Sequence, residues 1–364
     1  MKISIMHPTL NGGGGSERVC LDIIEALKEK GFDVFLGTFE KTNWNIVKEH
    51  YGEIIKPDQE IVSPRILNRS VYGTMLSFWR LSSKMPKCSD VAIISTFSSS
   101  CYWPSIKKLI IYYNLSPDKY QKSIWHLYYK PYVLLQRKIL TKISNKTVLT
   151  NSSFSAKIFN QVCGVNADIL YPPVDIKSFS SSKKENLIVS VGRFHPSKRF
   201  EFLIKSFQEV KNGKCIIMGS STGDMFSESQ KYLTKLRKLI ECLRLNEKVK
   251  VLANCPFDLL TRILSKAKVY VHCSYGEYFG ISIVEAMSAG CVPIIHRSGG
   301  AYEDIIDYDK YGFSFENVNE LSSKINFLLD NDYYEEYSKR AIMRSKYFDK
   351  ENFKERIVSI VESN

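Results

Sequence analysis

The sequence predicts an α/β protein built from two doubly wound halves, each with a parallel sheet covered by helices. Short β-branched and aromatic runs recur along the chain and alternate with longer segments of helical periodicity, which is typical of βαβ units. The length of 364 residues is enough for two domains with complete cores. The two prolines within residues 171–175 fix an extended path, so we expect the linker there.

The N-terminal half is expected to span residues 1–175. Its strands are predicted at residues 2–6, 31–37, 90–96, 109–113 and 147–150. Glycines 12–15 lead to Ser16, which we expect to cap an amphipathic helix that runs to Lys30. Four glycines between a strand and a helix let the backbone approach a ligand closely. The alternative is a flexible turn, since neither the Walker nor the G-x-G-x-x-G spacing is met.

The C-terminal half is expected to span residues 176–346. Its strands are predicted at residues 187–192, 214–219, 249–253, 269–272 and 291–295. Its helices are predicted at residues 200–210, 228–243, 280–290, 318–330 and 333–346. This alternation gives a second doubly wound sheet.

Two spaced carboxylates make the segment 273–300 the strongest candidate site. Glu277 lies on the loop before the helix predicted from residue 280, and Glu285 lies about a turn and a half into that helix. The peptide N–H groups of residues 280–282 have no helical acceptor, so they form an anion site at the positive end of the helix dipole. Carboxylates beside a bound diphosphate would accept hydrogen bonds from sugar hydroxyls. A plain helix N-terminus with a first-turn acid is the alternative interpretation.

A pair of cations forms the second candidate feature. Arg193 and Lys198 stand five residues apart on a predicted strand-to-helix loop, so both are able to reach one anion. A charge-assisted hydrogen bond of this kind contributes about 1.5–3 kcal/mol. Two solvated loop cations are the alternative.

The Glu277-to-Glu285 spacing resembles the E-x7-E signature of retaining GT-B glycosyltransferases of family 4, the glycosyl transferases group 1. The resemblance covers most of the chain and is strongest over residues 248–306. It implies a GT-B fold, in which two Rossmann-like domains face each other across a cleft. It also implies that a C-terminal helix, residues 347–364, packs back on the first domain.

The same resemblance implies roles for individual residues. Glu285 is expected to bind the donor ribose and Glu277 to lie against the donor sugar, and Glu277, Arg193 and Lys198 are the expected catalytic residues. The expected donor-binding residues are Gly14, Gly15, Arg193, Lys198, Glu277, Phe279, Gly280, Ile281, Ser282 and Glu285. Many relatives have a His after the strand at 110–113, and we expect Asn114 or His7 to replace it here.

The resemblance implies transfer of a hexose with retention of configuration. The expected donor is GDP-mannose, which supplies mannose, and the expected acceptor is a lipid-linked or other glycan at the cytosolic membrane face. A UDP-sugar used for polysaccharide or glycolipid synthesis is the alternative, and a nucleotide-sugar binding protein is the non-enzyme alternative. We expect no metal or cofactor, because the cations and the helix amides are able to neutralise the leaving diphosphate. Nine cysteines without a C-x-x-C pair indicate buried thiols of a cytosolic protein.

The formal net charge of +13 predicts an anionic partner. Residues 107–157 contain ten Lys or Arg and a single acid, Asp118, interleaved with aromatic and aliphatic side chains. This mixture suits a headgroup region, so we expect a cytoplasmic protein held peripherally on an anionic membrane surface. A solvated basic helix and nucleic-acid binding are the alternatives. We expect no nucleic acid, because no helix-turn-helix, RNP or zinc-finger pattern appears.

Overall fold

The computed structural model of the chain describes residues 1–67, 70–95, 106–113, 126–221, 226–330 and 333–363. Its contacts divide the chain into two compact units, Met1–Pro173 with Lys350–Asn364, and Val174–Asp349. Each unit contains one parallel sheet with helices on it, so the predicted α/β class is confirmed.

The sheet of the N-terminal unit has seven strands in the order β3-β2-β1-β4-β5-β6-β7, all parallel. The strands are β1 (Lys2–Met6), β2 (Asp33–Thr38), β3 (Gln59–Val62), β4 (Val91–Ser95), β5 (Lys108–Tyr113), β6 (Lys146–Thr150) and β7 (Asp168–Ile169). The helices are α1 (Gly15–Glu29), α2 (Trp44–Tyr51), α3 (Val71–Lys84), α4 (His126–Lys142) and α5 (Ser153–Cys163).

The start of α1 differs from the sequence prediction. Gly14, not Ser16, is the N-cap, and the Ser16 hydroxyl donates to the Glu17 carboxylate at 2.9 Å. The glycine loop folds around this carboxylate: a Cβ at Gly12 would lie 2.6 Å from Glu17 Oε1, and one at Gly14 would lie 2.7 Å from Oε2. A Cβ at either position would displace the Glu17 carboxylate, so these glycines leave room for its present position.

The sheet of the C-terminal unit has six parallel strands in the order β10-β9-β8-β11-β12-β13. The strands are β8 (Glu185–Val191), β9 (Lys214–Gly219), β10 (Val249–Ala253), β11 (Ala267–His272), β12 (Val292–His296) and β13 (Phe313–Phe315). The helices are α6 (Phe200–Ser206), α7 (Phe226–Cys242), α8 (Phe257–Lys266), α9 (Ile281–Ser288), α10 (Val318–Asp330) and α11 (Tyr334–Ser345). The order reverses between β8 and β11. Ligands of doubly wound sheets bind outside the carboxyl ends of the strands at such a point.

Helix α9 is more deeply buried than its sequence suggested. Ile281 is only half-buried, whereas all of residues 283–288 are buried, including Glu285. Helix α11 covers the far end of α9, and the hydroxyls of Tyr334 and Ser338 donate to the carbonyl of Gly290 at 2.7 and 2.8 Å. A helix that is enclosed in this way has little polar face, so the sequence does not indicate which of its apolar residues face the sheet.

The C-terminal helix α12 (Lys350–Glu362) packs on α1 within the N-terminal unit. Its buried apolar side chains are Phe353, Ile357 and Val361. Lys350 Nζ lies 3.1 Å from Asp22 Oδ1, and Lys354 Nζ lies 2.7 Å from Glu25 Oε1 and 2.8 Å from Glu29 Oε1. Burial disfavours the charge on Lys354, but its hydrogen bonds to the two glutamates outweigh burial and raise its pKa. The two lysines therefore fix the C-terminal helix on α1.

Candidate active site

Two loops at the switch point of the C-terminal sheet bring Lys198 and Glu277 together. Lys198 ends a short 3-10 turn (Pro196–Lys198) in the loop after β8, and Glu277 lies in the loop after β11. Lys198 Nζ donates to Glu277 Oε2 at 2.7 Å. Two residues that the sequence predicts as separate donor ligands are thus in direct contact.

His272 is a third member of this cluster, and the sequence analysis did not single it out. It is the last residue of β11, with only 3% of its surface exposed, and its Nε2 lies 2.8 Å from the same Glu277 Oε2. Burial lowers the pKa of His272 and outweighs the opposing effect of the Glu277 hydrogen bond. The ring is therefore neutral near pH 7 and donates its Nε2–H to the carboxylate. The sequence signal that could have identified His272 is a polar residue at the end of a buried apolar strand.

The cluster holds Glu277 in its ionised form. Burial opposes ionisation, but the charge of Lys198 and the hydrogen bond from His272 outweigh it and hold the pKa of Glu277 well below its usual range. Among the described residues, both side-chain donors engage Oε2. Oε1 is consequently the oxygen that is able to accept a hydrogen bond from a substrate hydroxyl.

The glycine loop at residues 298–300 supports the loop that contains Glu277. Gly299 pairs with Glu277 in an isolated β-bridge, and its φ of 80° is in the left-handed region. A Cβ at Gly299 would lie 2.4 Å from the Glu277 carbonyl oxygen, so only glycine permits this approach. The backbone N–H of Gly276 also donates to Ser298 Oγ at 2.8 Å. The glycine loop therefore fixes the backbone that presents the carboxylate.

The first turn of α9 is anchored to the ends of two strands. Gly280 caps the helix with a φ of 102°. The Tyr270 hydroxyl of β11 lies 2.8 Å from Ser282 Oγ and 3.2 Å from the carbonyl oxygen of Val191, at the end of β8. These contacts hold the helix N-terminus at the same sheet edge as Lys198 and Glu277.

Phe279 has a packing role in the structure. Its side chain is buried and lies edge-on against Phe348, with ring centroids 5.3 Å apart. The predicted role of Phe279 in donor binding stays a prediction. The backbone of Phe279 precedes the amides at the start of α9.

The remaining predicted residues are placed as follows. Arg193 is exposed on the same loop as Lys198, and Glu285 is buried in α9 with 8% of its surface exposed. Gly14 and Gly15 lie at the start of α1 in the N-terminal unit, where the Gly14 carbonyl accepts a hydrogen bond from the Tyr51 hydroxyl at 2.7 Å. The roles predicted for these residues stay predictions.

Of the two residues predicted to replace the family's histidine, Asn114 and His7, only His7 is described by the structure. Asn114 lies outside the described residues. His7 follows β1 and is buried, with its Nδ1 hydrogen-bonded to the carbonyl of Ser95. Burial lowers the pKa of His7 and outweighs the charge of Glu17, so the ring is neutral near pH 7.

Two general features of the described residues bear on binding partners. No three His, Cys, Asp or Glu side chains in those ranges are grouped so that they could hold a metal ion. No helix within them is both long and apolar enough to cross a bilayer. Of the predicted basic strip, residues 107–113 and 126–157 are described, and Lys119, Tyr120, Lys122 and Trp125 lie outside the described part.

Comparison with known proteins places this site in a family. The sequence model of the family Glycosyl transferases group 1 matches residues 173–346. The chain is 24% identical to the GDP-Man:Man(3)GlcNAc(2)-PP-Dol alpha-1,2-mannosyltransferase of Dictyostelium discoideum, over 100% of this chain and 84% of that protein. The human protein of the same name is 26% identical, over 90% of this chain and 80% of its own length.

Two solved structures show the same fold. HepE from Anabaena, in complex with UDP, has a TM-score of 0.78 at 19% identity, with 100% of both chains covered. Sucrose-phosphate synthase from Thermosynechococcus elongatus has a TM-score of 0.80 at 17% identity, with 99% of this chain and 98% of that one covered. The fold is therefore that of the GT-B class, as the E-x7-E resemblance predicted. The family model and the mannosyltransferase relatives support a transferase enzyme. Residues 173–346 form its glycosyl transferases group 1 domain.

Proposed function

We propose that the protein transfers mannose from GDP-mannose to a lipid-linked glycan at the cytosolic face of a membrane, with retention of configuration. The observation that carries the proposal is the ionised Glu277, held by Lys198 and His272 at the switch point of the C-terminal sheet. Two relatives that cover 100% and 90% of the chain are named for GDP-mannose and for a dolichol-linked acceptor, which supports this choice of substrates.

The donor would be held by three parts of the C-terminal unit. Lys198 and Arg193 lie on one loop and would bind the diphosphate, together with the amides at the start of α9. Glu285 would accept hydrogen bonds from the ribose hydroxyls. Glu277 Oε1 would accept a hydrogen bond from a mannose hydroxyl, because Oε2 is engaged by Lys198 and His272.

The reaction would exchange one bond at the anomeric carbon for another. The bond from C1 to the phosphate oxygen breaks, positive charge develops on the sugar, and negative charge develops on the leaving GDP. Fixed donors around the diphosphate stabilise that charge more in the transition state than in the ground state. The acceptor oxygen then bonds to C1 on the same face, and its proton passes to the leaving phosphate. As part of the proposal, the protein's own cations and amides replace a metal ion.

The proposal is tested by following labelled mannose from GDP-mannose into a lipid-linked oligosaccharide with terminal mannose, in buffer containing EDTA. We expect an organic-extractable product whose new residue is released by an α-mannosidase, because retention preserves the α configuration of the donor. A β-linked product would contradict retention. Transfer from UDP-glucose or UDP-N-acetylglucosamine, with none from GDP-mannose, would contradict the assigned donor.

A further inference from the structure

We propose that α3 and α4 of the N-terminal unit form a docking surface for an anionic lipid bilayer. The inference rests on the proposed function, because a lipid-linked acceptor lies in a bilayer. This α3–α4 surface is defined by the exposed apolar residues Leu76, Trp79, Leu134 and Leu135 and by the cations that flank them, among them Arg80 and Arg137. It extends the predicted basic strip to α3, which the sequence analysis did not include.

The excess of positive over negative charge lies in the part of the chain that contains this surface. Residues 61–167 contain fifteen Lys or Arg and two acids, so they alone account for the net charge of +13. The rest of the chain contains 36 basic and 36 acidic residues. Helices α3 and α4 together contain six Lys or Arg and no Asp or Glu. The surface therefore complements an anionic partner.

The two helices lie side by side on one face of the sheet. Phe78 of α3 and Leu140 of α4 belong to the same buried cluster. The rings of Tyr72 and Tyr128 meet edge-to-face with centroids 5.3 Å apart, and the Tyr72 hydroxyl donates to the Tyr128 carbonyl at 3.0 Å. The helices are thus joined where both begin, and their outward sides belong to the same face of the unit.

The exposed apolar residues distinguish a bilayer from other anionic partners. Trp79 is 58% exposed and Leu134 is 54% exposed, and Leu76 lies three residues before Trp79 on the same side of α3. Tryptophan favours the boundary between headgroups and acyl chains, while Lys and Arg extend to the phosphates from apolar stems. Nucleic acid would use the cations but would leave these apolar side chains in water. Shallow insertion of α3 and α4 satisfies both kinds of side chain.

The test is co-sedimentation of the full chain with vesicles of phosphatidylcholine alone or with phosphatidylserine added. We expect binding only to the anionic vesicles, and about a tenfold or greater loss of binding for Leu76→Ser with Trp79→Ser, because most of the inserted apolar area is removed. The matched control, Ile46→Ser with Ile55→Ser, changes two exposed residues elsewhere in the same unit and should bind as wild type. Melting temperatures of all variants establish that each is folded.

A second pair of variants tests the charge. Arg80→Glu with Lys84→Glu should abolish binding to anionic vesicles, whereas Lys231→Glu with Lys238→Glu, the same change on α7, should leave it intact. Equal binding to neutral vesicles, wild-type binding by the α3 variants, or tighter binding to duplex DNA would overturn the proposal. The α3 variants should retain transfer to a detergent-dispersed acceptor, so a failure of the donor assignment is distinguishable from a failure of this surface.

A separate observation supports a second inference: His272 is a positioning residue for Glu277. His272 reaches the carboxylate from the end of β11, and Lys198 reaches it from the loop after β8. The two donors converge on Oε2 from different elements, so together they fix the rotamer of Glu277 and direct Oε1 away from both. Removing His272 should leave donor binding but misplace the carboxylate during the reaction.

His272→Leu removes the N–H that donates to Glu277, whereas the side chain of His272→Gln is long enough to place an N–H near the same position. We expect His272→Leu to lower kcat about 10- to 100-fold, as expected for one charge-assisted hydrogen bond, with little change in KM for the donor. His272→Gln should restore most of kcat. The charge of Lys198 and the hydrogen bond from the neutral His272 both stabilise the ionised form of Glu277. Losing His272 therefore raises the pKa of Glu277 and should move the acid limb of the kcat profile to higher pH.

Two results with the His272 variants would contradict a positioning role. A kcat and acid limb for His272→Leu that match wild type would overturn it. So would a His272→Gln variant that melts as wild type but is as impaired as His272→Leu. A lower kcat with an unchanged KM, together with the shifted acid limb, distinguishes positioning from a general loss of stability.

Discussion

Replacing Glu277 with glutamine is expected to lower kcat by about two to three orders of magnitude, the effect typical of losing one preorganised electrostatic group. The substitution preserves the shape of the side chain and removes the negative charge that, in the proposed reaction, would face the donor sugar as positive charge develops on it. Lys198 and His272 would still hydrogen-bond the amide oxygen, so we expect the fold to be retained. The measurements are kcat with GDP-mannose and the melting temperature.

Glu316→Gln is the matched control for this prediction. Glu316 is an exposed acid of the same unit, paired with Arg297 at 3.2 Å, and exposed ion pairs contribute little to stability. We expect wild-type turnover for it. If Glu277→Gln also turned over at nearly the wild-type rate, the role assigned to the carboxylate would be wrong, and the cluster with Lys198 and His272 would be structural.

Glu285→Gln should weaken binding of GDP by about 10- to 100-fold, because hydrogen bonds from hydroxyls to a buried carboxylate contribute about 1.5–3 kcal/mol. The same loss is expected for GDP-mannose, since the ribose is common to both. Glu277→Gln should instead weaken GDP-mannose more than GDP, because its partner is the sugar. Isothermal titration calorimetry separates the two patterns. An unchanged affinity of the Glu285 variant for GDP would remove Glu285 from the donor site.

Several elements were predictable because local sequence determines them. Strands β9 and β10 occupy the predicted residues, since short apolar runs bounded by polar or glycine residues leave little choice of position. Helix α10 also has its predicted bounds. The E-x7-E spacing places one carboxylate before α9 and the other within it, because the loop-to-helix transition at Gly280 fixes the boundary.

The details of the site depend on contacts between distant segments. Lys198 and Glu277 are 79 residues apart, and only the order of the strands brings the loops after β8 and β11 to one edge. His272 reads in the sequence as one residue of an apolar strand, and its function depends on that same edge. The cap of α1 was mispredicted because Glu17 folds back against the glycine loop, a contact that no spacing rule describes.

The α3–α4 surface shows the same limit for exposed residues. Trp79 lies on a helix in which the apolar residues Phe78 and Leu81 are buried, and a sequence pattern alone assigns most apolar residues to the core. Only the packing of α3 on the sheet leaves Trp79 and Leu76 exposed. The charge of the segment was readable in the sequence, but the apolar component that favours a bilayer required the structure.

The central claim is that the C-terminal unit binds a guanine nucleotide sugar without metal. The most direct measurement is calorimetric titration of the wild-type chain, in EDTA, with GDP-mannose, UDP-glucose, UDP-N-acetylglucosamine and the free nucleotides. We predict binding of GDP-mannose and GDP, with much weaker binding of the uridine compounds. Selective binding of a UDP-sugar, or binding of GDP-mannose only after magnesium is added, would contradict the account.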